Sequence, residues 1–113
     1  MSARLPAHIE VSALVRRVAA EGGFAMVMAK GEPDAGTLLL VFCHKGSDAR
    51  AWERMPDPDG ERRWQLSRRI DPADPAAFQE WLDRRRKQDP DLWIVELDIA
   101  DGERFIGLSP SRD

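Results

Sequence analysis

Three acids close to one another, Asp91, Glu96 and Asp98, are the first residues that could do chemistry. Glu96 and Asp98 stand two apart, so on a strand they share a face about 7 Å apart. Two carboxylates so placed could hold a metal or move a proton. A Pro-Asp followed by Glu-x-Asp is also similar to a metal-dependent nuclease core. That core needs its acids on separate strands and a lysine where Asp98 stands. Here the spacing is too short and the lysine is missing, so a nuclease is rejected. Asp91 and Glu96 remain ligand candidates, with a nearby arginine or lysine.

Cys43-His44 resembles a nucleophile beside its base. Consecutive strand residues point to opposite faces, so the two cannot form a dyad. One cysteine and two distant histidines supply no zinc spacing. No catalytic or metal residue is assigned and no cofactor is expected. The segment Gly31–Gly36 lacks the Gly-Lys-Ser/Thr ending of a phosphate loop and is expected to be a surface hairpin. A loop with two acids, Glu32 and Asp34, and a preceding Lys30 could still bind a small polar ligand.

Arginine interleaved with tryptophan is the other pattern that could do something. Arg50, Trp52 and Arg54 alternate onto one strand face, and Trp64 follows Arg63 on the next strand. Such a face can stack bases or pair phosphates. It can also be a packed surface in which arginine stems cover the rings, or an interface between copies, for which Trp and Arg are well suited. The net charge of −3 supplies no overall attraction to nucleic acid. Arginine outnumbers lysine 14 to 3, a bias that a GC-rich genome explains.

The elements that must position these residues follow from periodicity. Val11, Leu14, Val15 and Val18 mark a helix over 10–21, stopped by Gly22-Gly23. Residues 24–30 and 37–44 read as strands. The second is apolar on both faces, which argues for a central position covered on both sides. Residues 49–55 and 62–69 read as more polar strands toward an edge. Asp71-Pro72-Ala73-Asp74-Pro75 opens a second helix, which Pro90 closes. A fifth strand spans 92–99, with Trp93, Val95, Leu97 and Ile99 inward and Leu92, Ile94, Glu96 and Asp98 on a solvated face.

The expected fold is therefore a two-layer α+β domain of topology α-β-β-β-β-α-β. It has a five-stranded, mostly antiparallel sheet of order 5-1-2-3-4, with both helices on one face. Residues 1–100 form the single domain and 101–113 a loose tail. At 113 residues the chain can bury one core without staples. Its lone cysteine allows no internal disulfide, and no run approaches the ~20 apolar residues of a membrane helix. No apolar run at the start suits a signal peptide. A cytoplasmic location is expected, with no membrane attachment.

The chain resembles the bacterial domain-of-unknown-function family 1491. The resemblance rests on Val11–Val18, Gly22–Ala25, Lys30-Gly-Glu-Pro-Asp-Ala-Gly36, Arg63-Trp64 and Asp89-Pro-Asp-Leu-Trp-Ile-Val-Glu96. The tail from Asp101 falls outside it. It implies a small cytosolic single-domain protein and no reaction, cofactor or catalytic residue. It marks Arg17, Lys30, Asp34, Arg63, Trp64, Asp91 and Glu96 as places to look. The combined expectation is a non-enzymatic binding or interaction module, a homodimer or the binder of a protein partner, acting through Trp52, Arg54 and their neighbours. The alternatives are a ligand-binding protein or enzyme using Asp91 and Glu96, and a weak nucleic-acid binder.

Overall fold

Helix α1 (Ala7–Ala20) opens the fold and is followed by strand β1 (Phe24–Ala29). Strands β2 (Leu38–His44), β3 (Ser47–Pro56) and β4 (Arg62–Arg69) come next, then helix α2 (Pro75–Gln88), strand β5 (Trp93–Asp98) and a short 3-10 turn, η1 (Gly102–Ile106). This computed structural model describes residues 5–56 and 58–108. The α+β class and the element order agree with the sequence reading.

The sheet order is β1-β5-β2-β3-β4, which corrects the expected 5-1-2-3-4. β5 does lie antiparallel to β1, as connectivity required, but it enters between β1 and β2 and runs parallel to β2. The other two pairings, β2 with β3 and β3 with β4, are antiparallel, so the sheet is mixed. The physical reason is burial. β2 and β5 are the strands with apolar residues on both faces, and a parallel pair is stable where both faces are covered. β1 is displaced to the edge.

The helices lie on opposite faces, not one, and the fold has three layers. Alternate residues of the two central strands divide between two cores. Leu38, Leu40, Phe42, Trp93, Val95 and Leu97 pack with Val11, Leu14 and Val18 of α1. Leu39, Val41, Leu92 and Ile94 pack with Phe78 and Leu82 of α2. The expected solvated face of β5 is thus half buried: Leu92 and Ile94 lie beneath α2, and only Glu96 and Asp98 reach its rim.

The C-terminal stretch also departs from expectation. Residues 102–106 form η1, and Phe105 is buried in the α1-side core. The expected tail therefore has an ordered start. Residues 109–113 lie outside the described residues, as does Asp57 of the turn before β4.

Candidate functional site

The segment 30–37 is no hairpin, because its two strands are separated by β5. It crosses the start of β5 instead. Glu32 donates its backbone N–H to the Asp91 carbonyl at 3.0 Å, and the Trp93 indole N–H donates to the Glu32 carbonyl at 2.8 Å. A Cβ on Gly31 or Gly36 would stand 2.0 or 2.4 Å from the Asp91 carbonyl oxygen. The matching segments Lys30–Gly36 and Asp89–Glu96 therefore meet, and close backbone approach is what Gly31 and Gly36 provide.

The same loop caps α1. The Ala7 and His8 amides donate to the Asp34 and Pro33 carbonyls at 3.0 and 2.8 Å, satisfying two of the free N–H groups at the helix start. Inside the loop, the Glu32 carboxylate accepts from the Asp34 and Ala35 amides at 2.8 and 2.5 Å. Asp34 itself is exposed, 3.9 Å from the His8 ring. Asp91 is exposed too, with its amide bonded to the Asp89 side chain at 3.1 Å. Asp91 precedes β5, whereas Glu96 lies within it, paired with Met26 of β1.

The Glu96 side chain faces Cys43. The buried Cys43 thiol donates to its carboxylate at 3.5 Å. Burial, with Glu96 and Asp98 nearby, pushes the thiol pKa up to about 12. A thiol held neutral is a poor nucleophile. Asp98 accepts the Lys45 and Gly46 amides at 2.6 and 3.0 Å, so its role is to hold the β2–β3 turn.

Arg50, Trp52 and Arg54 share one face of β3 as alternation required, with Trp64 beside Arg54, and that face is filled from within, whereas Arg68 lies over the Trp81 ring on the α2 side. Arg50 binds both oxygens of Glu103 at 2.7 Å, and the Trp52 indole donates to Glu103 at 3.1 Å. Burial alone would raise the Glu103 pKa, but the Arg50 hydrogen bonds hold it below the usual value. Arg54 binds both oxygens of Glu10 and lies over the Trp64 ring at 4.9 Å. Arg63, next to Trp64, is exposed on β4. Arg17 donates to the Phe105 carbonyl at 3.3 Å and stacks on its ring. Of the candidates, Lys30 starts and Asp34 lies within the 30–37 loop, which crosses the Asp91 backbone through Gly31, Glu32 and Gly36. Trp52, Arg54 and Trp64 gather under α1, while Arg17 and Glu96 stand apart.

Sequence reading missed the residues that stand out on the surface. Phe24 is 77% exposed, Met26 59% and Val27 38%, all on β1. β1 has a strand neighbour on one side only. Its register with β5 sets Phe24 and Met26 opposite Asp98 and Glu96, on the α2 side, and Val27 opposite Val95, on the α1 side. A groove of about 360 Å³ lies between α1 and β1, with Val11, Val15, Val27 and Trp93 among its walls and Arg16 and Lys30 at its rim. The signal in the sequence was six strand residues without one charge.

A family model described as a protein of unknown function, DUF1491, matches residues 5–107. The chain belongs to the DUF1491 family. The match includes η1, which corrects the expectation that the resemblance stops at Asp101. A crystal structure of a DUF1491 family protein from Caulobacter crescentus CB15 is 35% identical, with TM-score 0.74, over 95% of this chain and 98% of that one. An NMR structure of a DUF1491 family protein from the same organism is 33% identical, with TM-score 0.75, over 99% and 100%. The solution structure of a structural-genomics target from A. tumefaciens is 31% identical, with TM-score 0.67, over 88% and 89%. No curated protein matches the chain. The DUF1491 description assigns no activity, so function has to be argued from the surface.

Proposed function

We propose that the chain is a non-enzymatic interaction module and that its contact element is the open edge of β1, to which an extended segment adds as a further strand. The observation that carries this is the difference between the two sheet edges. β4 bears Arg62, Arg63, Arg68 and Arg69, and edge charge discourages strand pairing. β1 bears none, and it exposes Phe24, Met26 and Val27. Strand addition draws affinity from main-chain hydrogen bonds and specificity from alternate side chains.

The added strand belongs to a partner protein or to a second copy. A homodimer would form through β1, where self-pairing covers Phe24 and Met26 of both copies. Trp52 and Arg54 are already engaged inside the fold and are weaker candidates for that role. Among the described residues no helix is long and apolar enough to cross a membrane. A reducing compartment such as the cytoplasm suits the single buried Cys43.

Selection of displayed random ten-residue peptides on the immobilised chain tests the reading, with Met26→Lys as counter-selection. The expected pool binds the wild-type chain and is lost on the variant. A pool indifferent to Met26→Lys, or no pool, overturns it.

A further inference from the structure

We propose that the groove between α1 and β1 receives an extended peptide bearing carboxylates, and that Arg16 and Lys30 recognise them. This inference rests on the strand-addition reading and names the chemistry of the added strand.

The groove lies directly beside the open edge. β1 runs back along α1 after the Gly22-Gly23 connection. That connection is tight, since a Cβ on Gly23 would stand 2.8 Å from the Asp98 carbonyl oxygen and from Val18. Val11 and Val15 are one helical turn apart and face Val27 and Trp93 across the groove. A strand added to β1 directs every second side chain toward this apolar wall.

Charge selects what those side chains carry. Arg16 and Lys30 are exposed at the rim, and neither makes an ion pair with any described residue. His8 also lines the groove, but its Nδ1 already meets the Pro33 carbonyl at 2.9 Å, with Asp34 3.9 Å away. The acids beside β1, Glu96 and Asp98, lie on the opposite face of the sheet. A chain of net charge −3 therefore presents a locally basic groove. An acidic segment is repelled by the molecule at large and attracted here, which fixes both place and register.

A second copy fits this groove less well. Phe24–Ala29 contains no carboxylate, so self-pairing leaves Arg16 and Lys30 unanswered. The added strand is better supplied by a partner that alternates carboxylate or aliphatic residues toward α1 with apolar residues toward Phe24 and Met26.

The test uses the isotope-labelled full chain and two seven-residue probe peptides. Both alternate valine and threonine; one carries two glutamates, the other two lysines at the same places. The glutamate peptide is expected to shift the amides of residues 24–29 and 11–16. Arg16→Glu with Lys30→Glu should weaken it roughly tenfold and favour the lysine peptide instead. Both sites are exposed, so the variant keeps its core. Equal binding of the two peptides at β1 overturns the inference and leaves strand addition standing. Failure of both to shift β1, or sedimentation showing a dimer that protects the β1 amides, overturns it as well. In the dimer case the occupant is a second copy.

Discussion

Arg54 on β3 and Glu10 on α1 form a two-point ion pair, with the guanidinium nitrogens 2.7 and 2.8 Å from the two carboxylate oxygens. The pair ties the first helix to the far half of the sheet and holds Arg54 over Trp64. Paired geometry of this kind is the strong form of a charge-assisted hydrogen bond. Arg54→Ala is expected to lower stability by about 2 kcal/mol, measured by urea denaturation. A double-mutant cycle with Glu10→Ala should return a coupling of about 1 kcal/mol. A coupling near zero would refute the pair's role.

Glu103 is held below the ordinary carboxylate value of 4.5 by Arg50, with the Trp52 indole as a third donor. Its contribution to stability is fully present above that value and is lost as pH falls through the lower folded one. Glu103→Gln should flatten the acid limb of a stability–pH profile below about pH 4.5 and lower stability on the neutral side. An unchanged acid limb would contradict the structure. Truncation after Ala100 removes Glu103 and Phe105 together and is expected to destabilise by more than the single change.

Cys43 is expected to resist alkylation in the native state. Its thiol stays protonated up to about pH 12, while the ordinary value is 9.0. Because the folded value is raised, the associated stability is present below pH 9 and is lost as pH rises toward 12. Cys43→Ala should remove that part of the alkaline decline. Rapid labelling by iodoacetamide at pH 8 without unfolding would count against the buried, acid-flanked placement.

Gly31→Ala and Gly36→Ala should each destabilise by roughly 2 kcal/mol or more, since the new methyl would meet the Asp91 carbonyl rather than a flexible side chain. Gly60→Ala provides the contrast. It has open space but a positive φ of 83°, so its cost is conformational and near 1 kcal/mol. Thermal denaturation of the three variants separates close approach from backbone strain.

Local order was legible in the residues, and spatial order only in part. The strand over 62–69 and the end of α2 before Asp89-Pro90 follow from alternation and proline chemistry, and the structure places both there. Placing β1 and β2 as neighbours was the error. The turn formers in 31–36 read as a hairpin, yet Gly31 and Gly36 serve a crossing over Asp91. Leu39, Val41, Leu92 and Ile94 already indicated a second covered face, because four large aliphatics on one side of two strands do not stay in water. The polarity of α2, with only Phe78 and Leu82 buried, concealed the helix that covers them. The candidate groove could not be read at all. Arg16 and Lys30 become neighbours only because an edge strand runs back along α1.

The insertion of β5 between β1 and β2 also governs the order in which the molecule can assemble. The meander β2–β3–β4 needs only short local connections, so it can form early. β1 has no strand to pair with until residues 93–98 arrive, about seventy positions later. Such long-range closure slows folding, because loop entropy is lost before the contacts reward it. Until then β2 also presents an unpaired apolar edge to every other nascent chain. The hazard of wrong pairing is therefore greatest just before the last strand docks.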